Sequence, residues 1–191
     1  MKKILYLMRH GQTIFNVRRK IQGWCDAPLT ELGMKQAAVA AAYFKENNII
    51  FDAAYSSTSE RACDTLEMVT DMPYTRVKGL KEWNFGVFEG ESEDLNPPLP
   101  YHDFFVTFGG EGQEEFQKRI AEACRDIMEQ DNKVVLAVSH GAACKNFMRY
   151  WEHTSVITQQ EKIGNCCILK FEYENHAFEL VDIINHDFSE L

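Results

Sequence analysis

Two histidines stand in the same short context, Arg9-His10-Gly11 near the start of the chain and Ser139-His140-Gly141 much later. An imidazole at the end of an apolar run can act as nucleophile or base, and when protonated as a cation. Arg9 places a guanidinium beside the first histidine, and Arg61 follows Ser56-Ser57 by one helical turn. Each guanidinium is a fixed fork that pairs two oxygens of a phosphate at once. Together these groups suit a transferring phosphoryl group, whose charge spreads over three oxygens and whose catalysis is mostly positioning and electrostatics. A leaving alcohol also needs a proton. Glu82, in Leu80-Lys81-Glu82-Trp83, is the candidate donor, because a carboxyl beside a bound dianion has a raised pKa.

Taken singly, none of these signals is specific. Arg-His-Gly is a short motif, His140 reads equally as a helix cap, Arg61 as a solvated ion-pair partner and Glu82 as a surface carboxylate. His102, His153, His176 and His186 read as surface or structural residues. No His-Glu-x-x-His pattern or Asp-rich cluster supports a metal site, so no metal and no cofactor is expected.

The elements that must position these residues alternate between strand and helix signals, which indicates an α/β domain. Lys3–Met8 is an apolar strand ending at Arg9. A helix follows Thr30 as N-cap, with Leu32, Val39, Ala40, Tyr43 and Phe44 on one face and Gln36 as the exception. Ala53–Ser56 is a strand, and Ser57-x-x-Glu60 is a capping-box pattern opening a helix to about Val69. Residues 113–130 show clean helical spacing, and Val134–Val138 is an apolar strand typical of the middle of a parallel sheet. His140-Gly141 opens a helix with Phe147, Met148 and Trp151 on one side. Cys167–Tyr173 and Phe178–Ile184 form a hairpin around Glu174-Asn175-His176. The expected architecture is a three-layer α/β/α sandwich with a mostly parallel central sheet, a single domain over residues 1–191. An irregular lid insertion lies around 83–112, where Pro97, Pro98 and Pro100 interrupt any period. Ligands of open parallel sheets bind outside the carboxyl ends of the strands, so His10, Arg9, Arg61 and His140 should converge there. Helices opening near 59 and 141 should add backbone donors.

The chain has 191 residues and a formal net charge of -9. Nucleic acids and anionic membranes need a cationic surface, so neither is expected as a partner. No apolar run is long enough to span a bilayer. The six cysteines form no Cys-x-x-Cys pair and read as buried, reduced thiols of a cytoplasmic protein. Cys166 and Cys167 should point to opposite faces of a strand. The expected partner is a small phosphorylated substrate; a homodimer stays open.

At this point the motifs resemble the histidine phosphatase superfamily, in its phosphoglycerate-mutase-like branch, over nearly the whole chain. Leu7-Met8-Arg9-His10-Gly11-Gln12-Thr13-x-x-Asn16 matches the opening signature. Gln22-Gly23 and Leu29-Thr30-Glu31-x-Gly33-x-x-Gln36-Ala37 match the next block. Ser56-Ser57 through Arg61-Ala62 and Thr65, then Leu80-x-Glu82-x-x-x-Gly86-x-x-Glu89-Gly90, follow in order. Val138-Ser139-His140-Gly141 and Gly164-Asn165-Cys166 complete the set. The resemblance implies that His10 becomes phosphorylated, that Arg9, Arg61 and His140 hold the phosphoryl oxygens, and that Glu82 serves as acid and then base. It implies a hydrogen bond from Asn16, and Gln22 and Gly23 on the substrate side, with Gly141 at the helix opening. Ser59 and Gly112 depart from the pattern at packing and capping positions, and no expected catalytic position is lost.

Mutases of this branch are longer and carry basic residues between the acid and the second histidine. Here no Lys or Arg occurs from Glu82 to Gln117, while eight acids beyond Glu82 do. A substrate carboxylate under such a lid would lack a cationic partner. A phosphomonoesterase is therefore favoured, acting on compact substrates without further charge. A phosphoglycerate mutase and a protein phosphohistidine phosphatase are the alternatives. About half of Trp83, Phe85, Phe88, Tyr101, Phe104, Phe105 and Phe108 are expected to anchor the lid to the body.

Overall fold

A computed structural model describes residues 2–159 and 162–191. Its elements run β1 (Lys3–Arg9), α1 (Ile14–Val17), α2 (Glu31–Glu46), β2 (Ala53–Ser57), α3 (Glu60–Val69) and β3 (Tyr74–Val77). They continue with α4 (Gln113–Met128), β4 (Val134–Ser139), α5 (Gly141–Tyr150), β5 (Ile168–Glu174) and β6 (Ala177–Ile184). One six-stranded sheet has the order β3-β2-β4-β1-β5-β6. β3, β2, β4 and β1 are parallel neighbours, and β5 runs antiparallel to both β1 and β6. The molecule is thus the expected α/β fold with a mostly parallel sheet.

Strand alternation divides the core in two. Leu5, Leu7, Val135 and Ala137 face α4 and α5, while Tyr6, Met8, Leu136 and Val138 face α2 and α3. Both central strands are buried on both sides, which is why they read as continuous apolar runs. The parallel register pairs Arg9 with Ser139 and Ser56 with Val138. The three strand ends that carry chemistry therefore stop at one level of the sheet.

Three local expectations are corrected. The buried stripe of α2 is Gly33, Gln36, Ala37, Ala40 and Phe44, rotated from the one centred on Leu32 and Val39. Small residues allow close approach, and Gly33 lies so near the first loop that a Cβ there would sit 2.1 Å from the Gln12 carbonyl oxygen. The Ser57-x-x-Glu60 capping box does not form. Ser59 is the N-cap of α3, with no side-chain cap bond, and Ser57 turns inward to His140. Strand β3 was not anticipated from the sequence, because an edge strand with exposed Thr75 and Arg76 lacks the apolar signature of a buried one.

The 83–112 segment contains short 3₁₀ turns at Gly86–Phe88, Glu93–Leu95 and Val106–Phe108. Trp83, Phe85 and Phe105 are buried, Phe88 and Tyr101 pack partly against the core, and Phe104 and Phe108 are exposed. Most of its aromatic rings therefore fasten this insertion to the body. The last hairpin turns through Asn175 and His176, both at positive φ, the geometry of a tight two-residue turn. Cys166 and Cys167 enter opposite cores, but from the turn that precedes β5 rather than from a strand.

Candidate active site

His10 is fixed through its backbone before its ring is considered. Its N–H donates to the Ser139 carbonyl at 3.0 Å, and its carbonyl accepts from Cys166 N at 3.3 Å and Asn165 Nδ2 at 3.2 Å. Gly11 N donates to Thr65 Oγ1 of α3, and Gln12 N to Gln36 Oε1 of α2. Both helices on that face thus hold the loop after β1. The buried Gln36, apolar by position and polar by type, is explained by this bond.

The His10 ring has a defined tautomer. Nδ1 lies 2.7 Å from the Gly11 carbonyl oxygen, which can only accept, so Nδ1 carries the proton. Nε2 is left as a lone pair, approached by Arg61 Nε at 3.3 Å. Burial, then the guanidiniums of Arg61 and Arg9, hold His10 well below the ordinary imidazole range. His140 lies beside it with ring centroids 5.3 Å apart. Its Nε2 is 2.7 Å from Ser57 Oγ, and burial, with Arg61 next, keeps it well below the ordinary range too.

Arg61 is fully buried. Nη1 donates to the Cys25 carbonyl and to Asp26 Oδ1, both at 2.9 Å, and Nη2 to the Gly23 carbonyl at 2.8 Å. Arg9 Nη1 donates to the Ile163 carbonyl at 2.8 Å, while its Nε is buried without a partner. Gly141 packs closely against Arg9, since a Cβ there would lie 3.2 Å from Arg9 Nε and press on the guanidinium.

Glu82 sits at the N-terminus of α5. Oε2 accepts from Ala142 N at 2.8 Å, and Oε1 from Ala143 N and Trp83 N, each at 2.9 Å. These bonds and the two guanidiniums favour the carboxylate, but burial outweighs them and raises its pKa. The loop is held from behind by Arg119. Its Nη1 donates to the Gly79 and Lys81 carbonyls and its Nη2 to that of Glu82, while Nε and Nη2 fork onto Glu111. Ser139 Oγ adds a bond to the Leu80 carbonyl at 2.7 Å.

The helix N-termini expected to cradle a ligand are already occupied by the chain's own carboxylates. Glu82 takes the first turn of α5, and Asp26 Oδ2 accepts from Glu60 N at the start of α3 at 2.5 Å. A donor satisfied in this way has little left for a substrate.

A cavity of about 510 Å³ opens over His10, lined on the inner side by Arg9, His10, Asn16, Gln22, Glu82 and Gly141. Asn16 Oδ1 accepts from Thr13 N and Asn165 Nδ2, which turns its amide nitrogen loose. Gln22 Oε1 accepts from Thr13 Oγ1, leaving Nε2 buried and unpartnered. Arg61 and His140 lie beneath His10 and are not on the cavity wall. Gly23 is not on it either. Its N–H goes to Glu89, its carbonyl to Arg61, and a Cβ would sit 2.2 Å from the Trp83 carbonyl oxygen. Gly23 is a packing position here.

The expectation that a substrate anion would find no cation is overturned. Lys20, Lys145, Arg149 and Lys162 line the outer cavity, all from outside the 82–117 stretch. Three of the eight lid acids are spent elsewhere. Glu89 caps the amides of Trp24, Cys25 and Phe85, Glu111 pairs with Arg119, and Asp94 with Arg19. Of those acids only Glu93 reaches the cavity. Sequence reasoning also missed the roles of Asp26, Arg119 and Asn165, most of whose partners lie far away along the chain.

Among the described residues no group of three or more His, Cys, Asp or Glu side chains is placed to hold a metal ion, and no helix is long and apolar enough to cross a membrane. Among the described residues no disulfide joins the six cysteines, of which five are buried and Cys25 is half-buried.

Over 99 residues the chain is 39% identical to a 2,3-bisphosphoglycerate-dependent phosphoglycerate mutase of Buchnera aphidicola, a match taking in 49% of this chain and 43% of the mutase. The chain thus matches less than half the length of that relative. It is 31% identical over 159 residues to a putative phosphoserine phosphatase 2 of Hydrogenobacter thermophilus, covering 73% of each. A crystal structure of a histidine-to-alanine variant of phosphoserine phosphatase from Entamoeba histolytica, in complex with phosphoserine, superposes with a TM-score of 0.79. It is 30% identical, over 94% of this chain and 95% of that one. The family model of the histidine phosphatase superfamily (branch 1) matches residues 5–186, and the chain belongs to that superfamily.

Proposed function

We propose that the protein is a metal-independent phosphomonoesterase that hydrolyses a small phosphorylated metabolite through a phosphohistidine on His10. The observation that carries this reading is the His10 ring. Nδ1 is tied to the Gly11 carbonyl, Nε2 is unprotonated, and the ring borders the cavity beside Arg9 and Glu82. Nε2 attacks phosphorus as the ester P–O bond breaks, and Glu82 delivers its proton to the leaving oxygen. Oε2 is the better placed carboxyl oxygen for that proton, since it accepts one backbone bond against two at Oε1. Water then attacks the phosphohistidine, giving its proton back to Glu82, and the N–P bond breaks. Arg9 Nε and Gln22 Nε2, buried and unpartnered, gain acceptors from phosphoryl oxygens, and Asn16 offers its amide nitrogen. Arg61 and His140 act from beneath, Arg61 by charge and His140 by packing the His10 ring.

A mutase is the second reading, favoured by the cations on the outer wall, which could hold a carboxylate. Hydrolysis is supported by the exposure of Lys145, Arg149 and Lys162 at the rim, which leaves water a path to the phosphohistidine. Relatives covered over most of their length include two named as phosphatases, beside a structure named as a phosphoglycerate mutase. The test is chemical. Protein quenched during turnover should carry acid-labile, base-stable phosphate, absent in His10→Ala, and inorganic phosphate should accumulate. Substantial turnover by His10→Ala would reject the nucleophile. Efficient interconversion of 3- and 2-phosphoglycerate without phosphate release would replace the hydrolase by the mutase.

A further inference from the structure

The 83–112 lid holds apolar side chains that neither the core nor the cavity uses. Phe104 and Phe108 are each 38% exposed, Val106 49% and Val87 72%. They lie together. Phe88, Phe104 and Phe108 form a triangle, with ring centroids 5.7, 5.0 and 5.3 Å apart. Gly86, the neighbour of Val87, lies so near that a Cβ on it would sit 2.0 Å from the Phe108 carbonyl oxygen. Val106 and Phe108 share one 3₁₀ turn. Single exposed apolar side chains are ordinary on any protein surface, whereas a contiguous group marks an interaction surface.

The remaining acids border the same face. Glu89, Asp94 and Glu111 have partners, and Glu93 faces the cavity. That leaves Glu91, Asp103, Glu114 and Glu115, all exposed and none in an ion pair among the described residues. Glu91 N–H donates to the Phe88 carbonyl at 3.0 Å, and Asp103 directly precedes Phe104. Glu114 and Glu115 open α4 beside Val106 and Asp103, since a Cβ on Gly112 would lie 2.5 Å from Asp103 Oδ1 and 3.4 Å from Val106 Cγ2. No lysine or arginine between Glu82 and Gln117 neutralises them.

Charge decides between occupants of this face. A second copy would set the same acids against these, and an anionic bilayer would be repelled as well. An apolar stripe with cationic flanks complements both the rings and the acids. We propose that the outer face of the lid is a docking surface for an amphipathic, basic helix of a partner protein. Apolar anchors at i, i+3 and i+4 of a helix stand about 5–6 Å apart, the spacing of the ring triangle. Such a helix rests its apolar stripe on Phe104 and Phe108 and turns its basic residues to the four acids. Phe105, beneath, joins the triangle to Trp83 and Phe85 of the cavity wall, with ring centroids 6.4 and 4.9 Å away. The docked helix therefore braces the lid from outside, and its binding is independent of the chemistry at His10.

The probe is an amidated peptide of roughly eighteen leucines and lysines, with leucine at i, i+3, i+4 and i+7. A scrambled peptide of the same composition and a leucine–glutamate peptide of the same pattern are the controls. By calorimetry the amphipathic cationic peptide should bind wild type at least about tenfold tighter than either control, and should weaken as salt is raised. Hydrogen exchange should show new protection confined to segments 86–91 and 103–115. Phe104→Ser/Phe108→Ser should lose about tenfold or more, as truncation of central aromatic anchors does. Glu91→Gln/Glu114→Gln, which removes two exposed charges without touching the rings, should lose about threefold and flatten the salt dependence. Ile50→Ser, at a side chain 81% exposed between α2 and β2, should bind as wild type does. Failure of the peptide to bind, equal binding of either control, protection elsewhere, or an affinity unmoved in Phe104→Ser/Phe108→Ser would overturn the surface. Sedimentation of wild type as a dimer that Phe104→Ser/Phe108→Ser dissociates would give the face to a second copy. Pelleting with phosphatidylglycerol vesicles, lost in the same variant, would give it to a bilayer, and either result rejects the basic helix.

Discussion

At the scale of single residues the site works by setting two groups apart. His10 is kept neutral by burial and two guanidiniums, and Glu82 is kept protonated to higher pH by burial. A base with a lowered pKa stays deprotonated as pH falls, so the acid side of the kcat/KM profile should show no loss at the ordinary imidazole value. An acid with a raised pKa loses its proton only as pH rises through that value. Hydrolysis of an alkyl phosphate should therefore fall on the alkaline side, and Glu82→Gln should remove that limb. The same variant should slow phosphorylation by an alkyl phosphate by about 10²- to 10⁴-fold, the usual worth of a general acid. With 4-nitrophenyl phosphate, whose leaving group is a weak base, the single-turnover loss should be much smaller. Equal losses for both esters would remove Glu82 from the donor role.

At the scale of elements the site depends on clamps that join loops to helices. Arg119 of α4 binds the carbonyls of Gly79, Lys81 and Glu82 and forks onto Glu111. It acts on the reaction only through Glu82 and is a positioning residue. Arg119→Gln should lower stability by about 3 kcal/mol, as removal of one partner from a mostly buried pair does. It should also reproduce part of the Glu82→Gln leaving-group selectivity, and Arg119→Lys should recover little, since an ammonium cannot reproduce the fork. Loss of stability without any change in selectivity would leave Arg119 a purely structural residue. Asp26 couples α3 to the site, accepting from Glu60 N with one oxygen and from Arg61 with the other. Asp26→Ala should cost about 1–2 kcal/mol as a lost cap and ion pair. Denaturant midpoints at constant slope would measure both changes.

For the whole molecule, two neutral histidines buried at the centre make stability depend on pH. In the unfolded chain His10 and His140 take up protons near their ordinary value of 6.5, while in the folded protein both are held well below it. Below that pH the unfolded state binds more protons, so stability falls as pH falls, by about 1.4 kcal/mol per pH unit for each histidine. Glu82 opposes this only in the carboxylate range, where its raised pKa favours the folded, protonated form at low pH. Equilibrium unfolding between pH 6.5 and 5 should therefore steepen toward acid, and His10→Ala should lose about a third to a half of that slope, since burial also holds His186 below its ordinary value. An unchanged slope in the variant would mean that His10 is not held neutral in the fold.

The sequence by itself determined the fold class and the reactive groups. Periodicity located β1, β2, β4 and the long helices, and each strand end carried its own chemistry because alternation and motif spacing are local properties. It did not reveal the rotated face of α2, the edge strand β3 or the destination of the Ser57 side chain, where weak local signals were overridden by packing. Nor did it show which charges share the cavity. Reading the 82–117 stretch alone predicted a lid hostile to anions, yet Glu89, Glu111 and Asp94 are spent on amides and arginines while Lys145 and Arg149 arrive on α5. That outcome follows from the sheet order, which sets β4 beside β1 and so hangs α5 over His10. Coulomb interactions act over about 10 Å of space in salt water, whatever the separation along the chain. Residue types therefore fix what each side chain can do, and the tertiary structure decides on whom it is spent.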